Sequence, residues 1–560
     1  MQVFFVHISL LYVIFMSMSN NIVEGIGVSD GISIGTLTVY RPKSIASKGK
    51  IWSDNVSLEV SRLQKARSGA RAQLSEMYRK AISERGKTHA DIINAYLTML
   101  DDPEYIATIE RLIITQSLCA EYAIASASDS FATQFASMED EYMQARASDI
   151  RDVSERLIGV LRGLDSKPLE LKKETILLAD DLSPTETMQI DKSKVLAFVT
   201  KRGSRLSHSA ILARSMGIPA IVGVEFSGAI NGTLAIVDGY EGKLIIDPDE
   251  ATIEKYKIKQ QEQIDRRRYL DLLKGQSNVT ADGKHIGLFA NVGSLNDVDL
   301  ADSNTAEGIG LLRTEFLYLD APDYPSEEIQ YNSYLEVAER MQGRPVVIRT
   351  LDIGADKNAP YMNIAPEPNP AMGMRGIRLS LGHKSSFKTQ LRAIYRANKY
   401  GNISILVPMI ISVEEVWQVK ELMYKVGKEL ETQGIPYNPC RLGIMIETPA
   451  AACISDILAN EVDFFSIGTN DLTQYVLAID RQNTSLGFIC DYHHEAVIRM
   501  IRQIIINAHD AGKKVCVCGE VAADTSFTEQ LLRMGVDELS VAPSAILEVR
   551  DAIRRAKVKS

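Results

Sequence analysis

The sequence carries few cysteines, and the six present, Cys119, Cys440, Cys453, Cys490, Cys516 and Cys518, form no CxxC pair and no zinc spacing. That excludes a disulfide scaffold and a structural zinc module, and it fits a reducing compartment. Positive charge is also in short supply: 62 Lys+Arg against 72 Asp+Glu give a formal charge of −10. A broad nucleic-acid surface is therefore not expected, and any phosphate site has to be built from locally clustered arginines. Phosphate loops of the usual kinds are missing too. GIGVSDG (25–31) lacks the third glycine of a dinucleotide loop, and ERGKTH (84–89) has Ala81 where the leading glycine of a P-loop belongs. Beyond the first seventeen residues, MQVFFVHISLLYVIFMS, no long apolar run stands out. Those seventeen lack a basic n-region and an Ala-x-Ala site and fall short of a membrane span. A polar start, MSNNIVEGIG, follows at Met18. Translation from Met18, a cytoplasmic location and no membrane contact are the expectation.

At 560 residues the chain has room for roughly three or four domains. Residues 1–19 are an apolar extension. Residues 20–45 alternate apolar residues with glycines and read as short strands. From 46 to 164 Pro and Gly nearly vanish, and apolar residues recur at helical spacing, as in Leu58, Leu63, Ala66 and Ala70. This is a helical bundle, broken between two helices at Asp101-Asp102-Pro103. Residues 165–250 switch to short β-like runs (TILLA, KVLAFVT, PAIV, LAIVD, KLIID), which makes a compact α/β domain with 20–45 and the bundle an insertion into it. A charged helical linker occupies 251–278. From 279 to 560 eight apolar strands alternate with helical runs: GLFANV, GIGLLR, PVVIRT, ISILVPM, LGIMIE, VDFFSIG, KVCVCG and ELSVA. The fold class is multidomain α/β, a swivel-type domain with an inserted helical bundle followed by a (β/α)₈ barrel, whose active site belongs at the strand C-termini.

Candidate chemistry lies in two places. Ser207 precedes the helix formers Ala210 to Arg214 and reads as an N-cap, which puts His208 in the first turn of a helix. Free N–H groups and the helix dipole can hold an anion there. An imidazole at that position suits carriage of a transferred phosphoryl group; the alternative is a polar histidine at a helix start with no chemistry. The second place is the barrel. Arg313, Arg349, Glu447, Asn470-Asp471 and Cys518 fall at the ends of its second, third, fifth, sixth and seventh strands, Arg375 in the loop after the third and Arg481 after the sixth. Each alone reads equally as a surface charge or ion pair. Together on one rim they read as a site. Two carboxylates, Glu447 and Asp471, suit Mg²⁺; arginines offer planar bidentate donors to phosphate and carboxylate; and Cys518 is placed either to donate a proton to carbon or merely to pack.

From about residue 20 to its end the chain resembles the Enzyme I family of the bacterial phosphoenolpyruvate:sugar phosphotransferase system. The motifs are DLSPTET, SRLSHSAILARSMGIPAIVG, GIGLLRTEFLYLD, IRTLDIGADK, GIMIETPAA and DFFSIGTNDLTQYVLAIDRQN. The resemblance implies autophosphorylation of His208 from phosphoenolpyruvate, then transfer to a histidine of the carrier HPr. It also implies that Arg313, Arg349, Asn470, Asp471 and Arg481 bind phosphoenolpyruvate with help from Arg375. Glu447 and Asp471 would ligate Mg²⁺, Cys518 would protonate the enolate carbon, and Thr187 would orient the His208 ring. The bundle would dock HPr and the barrel would form a homodimer. Ser204 and Leu206 depart from the family pattern beside the nucleophile. Alternatives are a pyruvate-phosphate dikinase or phosphoenolpyruvate synthase relative, which needs an ATP-binding domain, a nitrogen-related paralogue, which needs a sensory domain, and a weakened signalling protein that binds HPr. Mass spectrometry of the native N-terminus is expected to find Met18 at or near the start; intact protein beginning at Met1 in a membrane fraction would contradict it.

Overall fold

A computed structural model describes residues 21–558 except 41–52, 86, 138–140, 164–170, 172, 183–185, 187–189, 204–206, 227–230, 320, 322, 356–358, 482, 484–485 and 487–488. The start at Met18, Thr187, Ser204 and Leu206 thus lie outside the described residues. Among the described residues no helix is long and apolar enough to cross a membrane. The chain divides into two compact units, one up to Asp265 and one from Arg266 onward.

In the first unit, strands β1 (Asn21–Glu24), β2 (Ile26–Ser29) and β3 (Ile32–Tyr40) come before five helices: α1 (Val56–Arg85), α2 (Lys87–Leu100), α3 (Pro103–Gln116), α4 (Ala120–Ala136) and α5 (Glu141–Leu161). The sheet resumes with β4 (Thr175–Ala179), β5 (Val195–Thr200), α6 (His208–Met216), β6 (Ala220–Val222), β7 (Leu234–Asp238) and β8 (Lys243–Ile246). Strand order is β1-β8-β7-β3-β4-β5-β6-β2. β3 to β6 run parallel, whereas β7, β8, β1 and β2 pair antiparallel. The bundle therefore leaves from β3 and returns as its parallel neighbour β4. Covered on both faces, β4 is apolar without alternation and every residue of it is buried. The glycines of GIGVSDG serve backbone contact: a Cβ on Gly27 would meet the Gly239 carbonyl oxygen at 2.1 Å, and one on Gly239 would meet that of Ser29 at 2.1 Å.

Within the bundle, Leu63, Ala70 and Leu74 of α1 pack with Ile93, Tyr96 and Leu100 of α2 and with buried residues of α3 to α5. Asp102 caps α3, its carboxylate accepting from the Tyr105 N–H at 2.8 Å, and Pro103 fills the first turn. A final helix, α7 (Glu250–Asp271), begins in this unit, where Tyr256 packs against Ile32, Ile236 and Ile245 and Gln260 donates to the Ile32 carbonyl at 2.9 Å.

The second unit is a closed barrel of β9 (Gly287–Val292), β10 (Ile309–Leu312), β11 (Val346–Arg349), β12 (Ile403–Val407), β13 (Arg441–Ile446), β14 (Phe464–Gly468), β15 (Lys514–Cys518) and β16 (Glu538–Val541). All neighbours pair in parallel. Each of the eight apolar runs of the sequence supplies one strand. Helices between them bury one face against the outside of the strands; Val413–Thr432 starts from a full capping box, Ser412 with Glu415. The last helix, Ile546–Arg555, closes the barrel floor through Arg550, which is 1% exposed. Its guanidinium donates to Asn278 Oδ1 (2.8 Å), Thr305 Oγ1 (2.8 Å) and the carbonyls of Leu273, Asn304 and Thr305. No carboxylate is needed because five oxygens share the charge.

Arg550→Ala leaves those oxygens buried without a donor and opens a cavity. The barrel unit is expected to lose about 3–5 kcal/mol, measured by urea titration, with hydrogen exchange showing protection before residue 265 unchanged.

Candidate active site

The strand C-termini form one rim of the barrel, because parallel strands all end on the same face. Arg349 and Cys518 are the last residues of β11 and β15, Arg313 and Glu447 directly follow β10 and β13, and Asn470 and Asp471 open the helix Thr469–Leu477 after β14. Two glycines make room among them. A Cβ on Gly468 would lie 2.7 Å from Glu447 Oε2, and one on Gly519, at φ +115°, would lie 2.4 Å from Thr469 Oγ1 and 2.9 Å from Asn470 Oδ1. In S-I-G-T-N-D and C-V-C-G-E the glycine is thus dictated by a polar side chain of the neighbouring strand. Asn470 Oδ1 accepts from the Glu520 N–H at 2.9 Å, which ties the two strand ends together.

Arginines and carboxylates alternate through the cleft. Asp352, buried just past β11, lies 3.2 Å from Arg349 Nη1 and 3.0 Å from Arg375 Nη2. Glu315 accepts from Arg349 Nη2 at 2.8 Å and from the Asp352 N–H at 3.2 Å. Arg375 Nη1 and Arg481 Nη2 approach Asp471 Oδ1 to 3.9 and 3.6 Å. Burial pulls the Arg349 guanidinium downward, but Glu315, Asp352 and Glu447 more than offset it and leave it above its ordinary value. Arg375 is likewise lowered by burial and raised further by Asp352 and Asp471. Both stay charged where they lie, joined through Asp352. Arg313 is exposed at the mouth, and Arg481 is about a third exposed.

Glu447 is buried, its Oε1 accepting from the Met409 N–H at 2.7 Å. Burial first, then Asp471 and Asp352, push its carboxyl up to about 8, against the lowering effect of Arg349 and that N–H. Asp471 Oδ1 is buried with no hydrogen-bond partner. A raised carboxyl beside an orphaned carboxylate oxygen fits a divalent cation that draws the rest of its coordination from substrate and water, the habit of Mg²⁺. Among the described residues no group of three or more His, Cys, Asp or Glu is placed to hold a metal ion.

Sequence reasoning set Cys518 on the rim; the structure puts it just beneath, 2% exposed, in the barrel interior with Leu311, Leu406 and Met445. As the last inward-facing residue of β15 it still senses the cleft. Burial raises its thiol to about 11; Ser466 lowers it, Glu447 raises it, and Arg349 and Arg313 lower it. At neutral pH it holds its proton. Glu315, Asp352 and Ser466 were not anticipated. The signal for the first two was present, since each follows a rim arginine within three residues, in LLRTE and IRTLD. His208 belongs to the other unit and is the first residue of α6, with Ser207 at the N-cap position (φ −64°, ψ 153°) and its hydroxyl 3.1 Å from Ser209 Oγ.

Three family models match the chain: PEP-utilising enzyme, PEP-binding domain over residues 267–558; PEP-utilising enzyme, N-terminal over 24–146; and PEP-utilising enzyme, mobile domain over 171–242. A phosphoenolpyruvate-protein phosphotransferase from Priestia megaterium is 41% identical over 538 residues, 95% of this chain and 94% of the relative. One from Bacillus subtilis (strain 168) is 41% identical over 536 residues, again 95% and 94%. A solution structure of Enzyme I aligns with 43% of this chain and 99% of its own at 35% identity, with a TM-score of 0.37.

Because Glu447 holds its proton to about pH 8 when folded and to 4.5 by its ordinary value, the native state binds one proton more than the unfolded state between those limits. Without divalent cations the barrel unit should therefore lose stability as pH rises from about 5 to 8. Glu447→Gln should flatten that slope, and Mg²⁺ should stabilise the wild type more at pH 8 than at pH 6; melting curves across pH read both.

Proposed function

The chain belongs to the PEP-utilising enzymes, among the phosphoenolpyruvate-protein phosphotransferases, and from that premise we propose that phosphoenolpyruvate gives its phosphoryl group to His208 and that His208 passes it to a histidine of HPr. The convergence of Arg349, Arg375, Glu447, Asp471 and Cys518 on one cleft, knit by ion pairs and mutual pKa shifts, is the observation that carries this reading. In it Arg349 and Arg375, fixed by Asp352, present bidentate donors to the phosphate and carboxylate of the substrate. Arg313, Asn470 and Arg481 complete the substrate contacts, and Thr187 orients the His208 ring. Mg²⁺ held by Glu447 and Asp471 would neutralise charge on the phosphoryl oxygens. The P–O bond breaks with its electron pair staying on the enolate oxygen while the imidazole nitrogen bonds to phosphorus. Cys518 then gives its proton to C3, and pyruvate leaves.

In this reading residues 20–45 with 165–250 form the mobile carrier that brings the imidazole to the cleft. The bundle at 46–164 is the HPr dock, 251–278 is the connecting helix, and 279–560 form the phosphoenolpyruvate-binding and dimerising barrel. As the first step of sugar phosphotransfer the reaction belongs in the cytoplasm.

With ³²P-labelled phosphoenolpyruvate, Mg²⁺ and HPr, wild-type protein should label HPr stoichiometrically without ATP. His208→Ala should form no phosphoenzyme, a loss of more than about a thousandfold, while still binding phosphoenolpyruvate by calorimetry. Label on the His208→Ala protein, or an ATP requirement, would refute the assignment.

A further inference from the structure

A hydroxyl in the apolar plug of the barrel calls for an explanation, since a buried polar group costs free energy unless it is paired. Ser466, in the middle of β14, is 1% exposed, and its Oγ lies 3.2 Å from Cys518 Sγ. β14 and β15 run in register, Ser466 opposite Cys516 and Gly468 opposite Cys518. Gly468 has no side chain to offer the thiol, so the serine two residues earlier is the polar side chain of β14 within reach of it. Cys518 Sγ also lies 3.4 Å from the Ile467 carbonyl oxygen. That oxygen can only accept, so a thiol pointing its S–H there leaves its sulfur lone pairs to the serine O–H. The second inward thiol of β15, Cys516, shares the Ser466 hydroxyl, but its charged neighbours are Glu538 and Asp537. Those of Cys518 are Glu447, Arg349 and Arg313 of the cleft. Of the two thiols, Cys518 is the one that faces the reacting groups.

We propose that Ser466 is a positioning residue for the proton transfer: its hydroxyl holds the Cys518 thiol, and it donates a hydrogen bond to the thiolate left when C3 of the enolate is protonated. This rests on Cys518 being the acid. In the step the enolate C=C pair takes the thiol proton to make the third C–H bond of the pyruvate methyl group. The S–H pair stays on sulfur as a thiolate, which regains a proton from water once pyruvate has left. A thiolate is formed in a low-dielectric plug of Leu311, Leu406 and Met445, where one charge-assisted hydrogen bond matters most. Ser466 makes that bond in the transition state and adds nothing to substrate binding, so its loss falls on kcat and not on KM.

Ser466→Ala is expected to lower kcat with phosphoenolpyruvate about tenfold or more, with KM changed by less than about twofold. The exchange of pyruvate methyl hydrogens for solvent deuterium, followed by proton NMR with enzyme and Mg²⁺, should slow by the same factor. Ser466→Thr and Ser466→Val, nearly equal in shape, isolate the hydroxyl even if Ser466→Ala folds poorly: Thr should keep the exchange and Val should lose it. Equal exchange in the Thr and Val proteins, while Cys518→Ala abolishes it, would overturn the role of Ser466 and leave Cys518 as the acid. Exchange that survives in Cys518→Ala would overturn both.

Discussion

One buried carboxylate holds the cleft in order. Asp352 sits between Arg349 and Arg375, within 3.2 Å of the first and 3.0 Å of the second. Two guanidinium groups side by side would repel each other and carry a large desolvation cost; the shared anion offsets both and fixes their planes. Glu315 secures the arrangement from behind, bonding Arg349 and the Asp352 backbone. The lattice leaves both arginines charged and oriented.

The same lattice explains why the other side of the cleft is unfinished. Burial first, and then Asp471 and Asp352, hold the Glu447 carboxyl up, and Asp471 Oδ1 has no hydrogen-bond partner. A folded protein tolerates such an orphan where a ligand is to complete it. Arg375 and Arg481 come no nearer to that oxygen than 3.9 and 3.6 Å, which leaves room at it for a divalent cation. Beneath them Cys518 is shielded and holds its proton, burial raising its thiol to about 11.

His208 begins a helix of the first compact unit, and the buried arginine–carboxylate lattice belongs to the second.

Much of this was legible in the sequence. Each of the eight apolar runs became one barrel strand, because a strand covered on both faces writes itself as a continuous β-branched and apolar segment. Reactive residues at the ends of those runs had to share a rim, since parallel strands in a closed barrel all end on one face, and that follows from order alone. Asp102-Pro103 likewise marked a helix start through local chemistry, and Ser207 marked one by position, its side chain making no capping hydrogen bond. Only the tertiary structure decided what depends on neighbours distant in the chain. That Gly468 clears Glu447, that Glu315 clamps Arg349, that Asp352 also reaches Arg375 and that Ser466 touches Cys518 depend on segments far apart in the chain. Periodicity reports which way a side chain faces; burial and the charges it meets there are set by the closing of the barrel.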